Sequence, residues 1–296
     1  MVGAGWDKEG SCVKSLYSLG FSGVEVGTVV EYPQLGNPKP RQFILDSGII
    51  INHIGLVSPG VQIVKNNLLK YDNFGIPIGI NIGINNDVLV KDAPNKYART
   101  VEILDSYASY FALNISCPNI RNLVSFFSHN PVFLNDICIE VKRKTTKPIF
   151  IKISPDLSYN EIDGVIEVVL ANKLAGIIAC NTTINENIKR SYGDKWNIPG
   201  GLSGDNHQYR EMTNRIISHI YKKTKGEIDI IGVGGVKDVK TALDKIKLGA
   251  KAVQVVTGLR YKGLGIARDI NKGIIDYMEH CGIKSFKEVT GYGYKN

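Results

Sequence analysis

A chain of 296 residues can form one large barrel or two ordinary domains, and its 43% hydrophobic and 22% charged residues are typical of a globular protein. No run approaches the roughly 18 consecutive apolar residues of a membrane span, and no charged segment followed by an apolar one indicates a signal peptide. The net charge of +8 comes from scattered lysines and does not predict a nucleic-acid partner.

The five cysteines lie far apart, with no Cys-x-x-Cys pair. This pattern favours a reducing compartment, and we expect a cytoplasmic protein with no iron–sulfur or zinc site.

Short β-branched runs alternate with amphipathic segments of helical length, which is typical of βα units around a parallel sheet. The predicted strands are Met1–Ala4, Gly23–Gly27, Pro77–Asn81, Tyr110–Ile115, Ile149–Ile153, Gly176–Ala179, Asp229–Val233 and Ala252–Val256. The predicted helices are Glu9–Leu19, Pro94–Ser106, Pro131–Arg143, Tyr159–Ala171, Tyr209–Lys223, Val239–Leu248 and Leu264–His280. Eight strands without a linker predict an α/β fold with a single (β/α)₈ TIM barrel over residues 1–296. Segments 31–60 and 184–206 are too long for ordinary connections, so we expect them to carry function.

Polar residues or glycines close almost every predicted strand, whereas the strand interiors are Val, Ile and Leu. The chemistry of such barrels gathers at the carboxyl ends of the strands. We therefore expect the functional residues among these strand ends, which include Lys8, Thr28, Asn81, Asn114, Lys152, Asn181, Thr182 and Thr257.

Cys117 follows the fourth predicted strand and lies between Asn114 and Asn119, with Pro118 ending the apolar run. A thiol at this position is expected to face a pocket, where it could take a proton from a bound polar heterocycle. The alternative is a buried cysteine that packs as a small hydrophobe.

Glycine-rich turns follow the last two predicted strands. Gly232-Val233-Gly234-Gly235 precedes a helix expected to start near Val236, and Thr257-Gly258 follows the eighth strand. Two such turns predict a phosphate site in which backbone N–H groups and a helix N-terminus face the anion. The alternative is a pair of tight turns that need positive φ.

Two lysines also lie at strand ends. Lys152 ends an apolar strand, where a charge is costly unless an anion or a cofactor ring meets it. Lys8 could hold a carboxylate or could pair with Asp7 or Glu9, and its spacing does not decide between them.

The chain resembles the dihydroorotate dehydrogenases, FMN-dependent barrels of pyrimidine biosynthesis. The resemblance runs over the whole length, through the motifs Ala4-Gly5-Trp6-Asp7-Lys8, Gly36-Asn37-Pro38-Lys39-Pro40-Arg41, Ile51-Asn52-His53-Ile54-Gly55-Leu56, Asn114-Ile115-Ser116-Cys117-Pro118-Asn119, Lys152-Ile153-Ser154-Pro155-Asp156-Leu157, Asn181-Thr182-Thr183, Gly200-Gly201-Leu202-Ser203-Gly204 and Ile231-Gly232-Val233-Gly234-Gly235-Val236.

The resemblance implies an oxidoreductase that converts dihydroorotate to orotate, with roles for the matching positions. Cys117 would remove the C5 proton while hydride leaves C6 for the flavin. The implied FMN ligands are Ala4, Gly5, Thr28, Asn81, Asn114, Lys152, Gly204, Gly234, Gly235, Val256 and Thr257. The implied substrate ligands are Lys8, Asn52, Ile54, Gly55, Leu56, Asn114, Asn119, Asn181 and Thr182.

Two departures bear on the electron acceptor. Most of the chain resembles the membrane-associated, quinone-using branch, but that branch typically has serine where this chain has Cys117. The quinone-using enzymes also carry an amino-terminal helical extension, which we expect to be missing here because the chain begins at the first predicted strand. We therefore favour a soluble acceptor or a partner electron-transfer subunit over a membrane quinone, while membrane association and a homo-oligomer remain open.

Two alternatives remain at this point. One is a flavoenzyme like the tRNA-dihydrouridine synthases, which also have a cysteine before proline. The other is a flavin-free phosphate-binding barrel, such as a lyase or an isomerase.

Overall fold

The computed structural model describes residues 1–45, 48–71, 74–116 and 130–294. Within these residues the strands are β1 Val24–Val29, β2 Gln42–Leu45, β3 Ile49–Asn52, β4 Ile78–Ile82, β5 Tyr110–Asn114, β6 Ile149–Ile153, β7 Gly176–Ala179, β8 Gly201–Gly204, β9 Asp229–Gly232 and β10 Ala252–Val253. The α-helices are α1 Val13–Ser18, α2 Val61–Leu68, α3 Ala93–Leu104, α4 Pro131–Lys142, α5 Tyr159–Ala171, α6 Glu186–Arg190, α7 His207–Thr224, α8 Val239–Lys247, α9 Thr257–Lys262, α10 Ile266–His280 and α11 Phe286–Val289.

The central sheet has seven parallel strands in the order β1-β4-β5-β6-β7-β9-β10. Val2 forms a parallel bridge to Val24 on one side and to Val255 on the other, which closes the sheet into a ring. The predicted TIM barrel is therefore confirmed.

The strand predicted over Met1–Ala4 is wrong in extent, because only Val2 pairs within it. The chain leaves the sheet at once, since Gly5 has a φ of 106° and begins a turn. The other predicted barrel strands lie within a few residues of the observed ones, and the largest difference is at β10, which ends at Val253 rather than Val256.

The barrel strands are apolar because helices cover their outer face and side chains fill the interior. Every residue of β1, β4, β5, β6 and β7 is buried. Such strands read as continuous apolar runs rather than as alternating patterns.

The first predicted helix, Glu9–Leu19, is shorter in the structure. The carboxylate of Asp7 accepts hydrogen bonds from the backbone N–H of Ser11 at 2.9 Å and of Cys12 at 2.8 Å. These bonds hold the chain in a non-helical turn, so the helix covers only Val13–Ser18.

The two long segments are not plain loops. Segment 31–60 contributes β2 and β3, and segment 184–206 contributes β8, in one antiparallel sheet of order β2-β3-β8. Its apolar side packs on Tyr209 and Ile188. The sheet thus lies beside the carboxyl ends of the barrel strands, where Asn52 and Gly204 reach the cleft described below.

In the part of the chain that the structure describes, no helix has the length and apolar character needed to cross a membrane.

Candidate active site

A cleft of about 660 Å³ opens at the carboxyl ends of the barrel strands, next to the three-stranded sheet. This volume lies within the range of small-molecule and cofactor sites, roughly 300–1,000 Å³. The predicted site residues that line it are Ala4, Gly5, Lys8, Thr28, Asn52, Ile54, Leu56, Asn114, Lys152, Asn181, Thr182, Gly204, Gly234, Gly235, Val256 and Thr257.

Four predicted positions are not among the lining residues. Cys117 and Asn119 lie outside the described residues. Asn81 is fully buried beneath Thr28, and Gly55 packs against Asn37 behind the cleft wall. The direct ligand roles of Asn81 and Gly55 remain predictions.

Glycines form one end of the cleft. Gly234 and Gly235 have φ values of 102° and 70°, in the region that favours glycine. A Cβ on Gly234 would lie 2.8 Å from the hydroxyl oxygen of Tyr209, so the backbone can occupy this place only without a side chain. Both glycines line the cleft, and a turn without side chains lets an anion come close to the backbone.

The helix after this turn begins at Val239, as in the predicted range Val239–Leu248, and three residues later than the start near Val236 expected from the glycine turn. Asp238 caps it by accepting from the N–H of Thr241 at 2.8 Å, in a capping box. Its N-terminus is therefore satisfied by the chain's own carboxylate. In contrast, α9 begins at Thr257 in the cleft wall and has no side-chain cap.

The surroundings of α9 suit an anion. The hydroxyls of Ser203 and Thr257 lie 2.9 Å apart, and Arg260 and Lys262 of α9 line the same end of the cleft. An uncapped helix N-terminus with nearby hydroxyls and cations is a favourable place for a phosphate.

A neighbouring carboxylate, Asp205, is neutralised by its own partners. Burial would raise the pKa of Asp205, but hydrogen bonds from Lys237 and Arg210 outweigh burial and lower it. Asp205 is therefore an anion held by two cations, which limits its repulsion of a bound phosphate.

Lys152 lies at the floor of the cleft and is almost fully buried. Its Nζ is 3.3 Å from Oε1 of Glu25, whose side chain has no exposed surface. A buried cation is tolerated where it is paired, and this pair explains how a lysine can end an apolar strand.

Amides and hydroxyls line the wall beside Lys152. Thr28 donates to Oδ1 of Asn81 at 2.6 Å and accepts from Nδ2 of Asn114 at 3.0 Å. Nδ2 of Asn181 donates to the carbonyl of Ser116 at 3.1 Å, one residue before Cys117. The structure therefore brings the predicted Asn114 and Asn181 to the same place as the strand end that precedes Cys117.

The loop after β7 is held from outside the cleft. The carboxylate of Asp156 accepts from the Thr183 hydroxyl and from the backbone N–H of Ile184, the latter at 2.9 Å. The carbonyl of Asn181 accepts from the Tyr209 hydroxyl at 2.9 Å. These bonds fix the backbone on both sides of Thr182.

Lys8 reaches the cleft from the first βα loop. Its Nζ donates to the carbonyl of Gly5 at 2.6 Å, while Asp7 is occupied by backbone N–H groups. Burial and the nearby charge of Arg41 lower the pKa of Lys8. A carboxylate bound next to Lys8 would offset both effects.

Several cleft residues were not predicted. Glu25 and Gln254 are polar residues inside predicted strands, and such residues usually indicate a buried hydrogen-bond network. The sequence could therefore have pointed to both. Cys180 directly precedes Asn181 at a strand end, so its position was also a usable signal. Gln42 and Tyr261 reach the cleft through tertiary packing, for which the sequence has no local signal.

Two side-chain oxygens at the cleft are buried and have no hydrogen-bond partner among the described residues. They are Oγ1 of Thr182 and Oε1 of Gln254. Because unsatisfied buried polar atoms are costly, such atoms in a cleft indicate a polar ligand. With the glycine-rich end and Lys152, the donor set fits a flavin mononucleotide, for which α9 would receive the phosphate and Lys152 would meet the polar ring.

Comparison with known proteins agrees with this geometry. The sequence model of the dihydroorotate dehydrogenase family matches residues 1–278. A dihydroorotate dehydrogenase (quinone) from Bartonella henselae is 38% identical over 97% of this chain and 80% of its own length. One from Buchnera aphidicola is 39% identical over 92% of this chain and 82% of its length. The crystal structure of the Eimeria tenella dihydroorotate dehydrogenase with ferulenol has a TM-score of 0.91 at 29% identity, over 100% of this chain and 85% of that one.

These names correct one prediction. The relatives are described as quinone-using enzymes, so the preference for a soluble acceptor or a partner subunit is wrong. The preference depended on Cys117 and on where the chain begins, and the similarity over the rest of the chain outweighs both.

Proposed function

The chain belongs to the dihydroorotate dehydrogenase family, and we propose that its cleft holds FMN and dihydroorotate together and passes the electrons to a quinone. It is an FMN-dependent oxidoreductase that converts dihydroorotate to orotate in pyrimidine biosynthesis. The alternatives, a flavoenzyme like the tRNA-dihydrouridine synthases and a flavin-free lyase or isomerase, are not favoured by these relatives.

One observation carries the residue assignments. The predicted cofactor and substrate residues are spread over many strand ends along the chain, and nearly all of them line one cleft. A flavin and its substrate must lie in contact for hydride transfer, so a shared cleft is what the reaction requires.

In this proposal the phosphate of FMN binds at the backbone of Gly234, Gly235 and Thr257, with Gly204 alongside. Ala4, Gly5, Thr28, Asn114 and Val256 bound the remaining cofactor space, and Asn81 supports Thr28 from below. Bound there, the cofactor supplies the hydride acceptor for the oxidation. Lys152 adds a fixed positive charge, which favours the negative charge of a reduced ring.

The substrate lies against the amides in this proposal. Asn52, Asn114, Asn119 and Asn181 would donate to the carbonyls of the ring. Oγ1 of Thr182, which has no partner among the described residues, would bind one of its polar groups. Lys8 would meet its carboxylate. Ile54 and Leu56 would form the wall of the substrate space and exclude water from it, and Gly55 would support them from behind.

Cys117 would take the C5 proton of dihydroorotate. The proposal for this residue depends on the family motif and on its sequence position, one residue after Ser116. The carbonyl of Ser116, the last described residue before Cys117, accepts from Asn181, so the described chain ends next to a predicted substrate residue. A positioned base contributes roughly 10²–10⁴-fold in rate.

The acceptor is tested by initial rates of dihydroorotate oxidation with a short-chain quinone, fumarate or NAD at equal concentration. We expect the quinone to support the fastest turnover. Faster turnover with fumarate or NAD would overturn the quinone proposal, and no turnover with any acceptor or with a redox dye would overturn the activity. The single domain and the cytoplasmic location remain predictions.

A further inference from the structure

Glu25 has no place in the proposed ligand contacts and does not line the cleft, yet its side chain accepts four hydrogen bonds, two of them from the lining residues Lys152 and Gln254. Its side chain is fully buried inside the barrel. Oε1 accepts from Nδ2 of Asn81 at 2.9 Å and from Nζ of Lys152 at 3.3 Å. Oε2 accepts from the Tyr110 hydroxyl at 2.9 Å and from Nε2 of Gln254 at 2.6 Å. Each oxygen of this carboxylate therefore accepts from two donors.

The fold makes room for this arrangement. Gly79 faces Glu25 in the register of β1 with β4, and it is also paired with Tyr110 of β5. A Cβ on Gly79 would lie 2.1 Å from the phenol ring carbon that carries the hydroxyl. Burial and the charge of Glu25 raise the pKa of Tyr110 well above its usual value, so the phenol stays a donor. Glycine at position 79 is therefore what lets Tyr110 reach the carboxylate.

The carboxylate also sets the direction of the hydrogen bonds above it. Because it only accepts, the amide of Asn81 must turn its NH₂ towards Glu25 and its oxygen towards Thr28. Thr28 then donates to Asn81 and accepts from Asn114. The carboxylate of Glu25 thus determines which atoms of Asn81 and Thr28 donate and which accept beside the proposed flavin site.

Within the described residues, Lys152 is the cation that forms a salt bridge with Glu25. The floor of the cleft therefore presents a balanced charge pair rather than an isolated cation. A lone cation favours a reduced, negatively charged ring more than a balanced pair does.

We propose that Glu25 is a positioning residue that sets the reduction potential of the bound flavin, by pairing with Lys152 and by fixing the orientation of Asn81 and Thr28. This inference rests on the proposed function. Glu25 touches no ligand in it, and its effect is exerted through the side chains that line the cleft.

The test is the midpoint potential of the bound flavin, measured by reductive titration of the purified holoenzyme. Glu25→Gln keeps the shape but removes the charge, so the reduced form should be favoured by at least about tenfold, equivalent to about 30 mV towards positive potential. Glu31→Gln is the matched control. Glu31 is also buried and pairs with Lys96 at 2.8 Å and Arg99 at 2.9 Å, and none of the three lines the cleft. The flavin in the Glu31→Gln variant should therefore have the same midpoint potential as in the unmodified protein.

A second variant separates charge from loosened packing and serves if Glu25→Gln does not fold. Tyr110→Phe removes one donor, so hydrogen bonds offset less of the negative charge of Glu25. The midpoint potential of the flavin should therefore move in the opposite, negative direction. Equal potentials in all proteins, or shifts of the same sign in both variants, would overturn the inference. If the unmodified protein holds no flavin, or its flavin is not reduced by dihydroorotate, the proposed function fails instead.

Discussion

The ion pair at the cleft floor makes Lys152→Met the most informative stability variant. Lys152 Nζ and Glu25 Oε1 are 3.3 Å apart, and both side chains are buried. At this separation and an effective dielectric constant of about 20, their attraction is about 5 kcal/mol. Removing the lysine leaves a buried carboxylate without its counter-charge, which typically costs about 3–5 kcal/mol. We expect Lys152→Met to lower the free energy of unfolding by that amount.

Urea unfolding of flavin-free protein measures this change without a contribution from ligand binding. Lys251→Met is the control, because the Lys251–Asp229 pair is about half exposed and its loss should cost less than about 1 kcal/mol. The double variant Lys152→Met with Glu25→Gln should regain part of the loss, since no unpaired charge remains. If Lys152→Met lowers the free energy of unfolding no more than Lys251→Met does, the buried ion pair does not contribute the expected stability.

Further predictions concern a second buried lysine, the loop after β7 and the proposed base. Burial lowers the pKa of Lys245 to about 7. Because the unfolded chain binds this proton up to about pH 10, stability should rise from pH 7 to 9 by up to about 1.4 kcal/mol per pH unit. Lys245→Met should lack this rise. If urea unfolding gives the same pH dependence of stability for both proteins, the pKa of Lys245 is not lowered. Asp156→Ala removes the bonds to Thr183 and Ile184. It should raise KM for dihydroorotate about 5-fold or more at unchanged flavin content, and an unchanged KM would show that the loop is held by other contacts. Cys117→Ala should keep flavin but slow its reduction by dihydroorotate roughly 10²–10⁴-fold, whereas an undiminished rate in stopped flow would exclude Cys117 as the base.

The barrel could be predicted from the sequence because its signal is local and repeated. Buried parallel strands such as β6, Ile149–Ile153, are apolar along their whole length, and their helices carry the complementary pattern. The sequence predicts a first barrel strand over Met1–Ala4, but not that Val2 alone pairs there, because a single bridging residue has no periodicity.

The three-stranded sheet shows a different limit. β3 and β8 pair in register, from Ile49 with Gly204 to Asn52 with Gly201, although about 150 residues separate them in the chain. Long segments at 31–60 and 184–206 indicated function but not this pairing, because antiparallel pairing over such a separation leaves no local pattern.

The candidate site was predictable where it follows from barrel topology. Strand-end residues such as Lys152 and Asn181 were expected together, and both line the cleft. The helix after the glycine turn starts at Val239, as in the predicted range Val239–Leu248 and not near Val236, because Asp238 caps it. Glu25 was missed because a charged residue inside a strand gives no information about its partners, which come from four other strands or strand ends.

The proposed reaction requires a cleft in which FMN and dihydroorotate lie together. Anaerobic titration of the purified protein with dihydroorotate, followed by visible absorbance, tests it. We expect a flavin spectrum that bleaches completely at about one dihydroorotate per flavin, with one orotate formed for each. A purified protein that binds no FMN when FMN is supplied, or a bound flavin whose spectrum dihydroorotate leaves unchanged, would contradict the account.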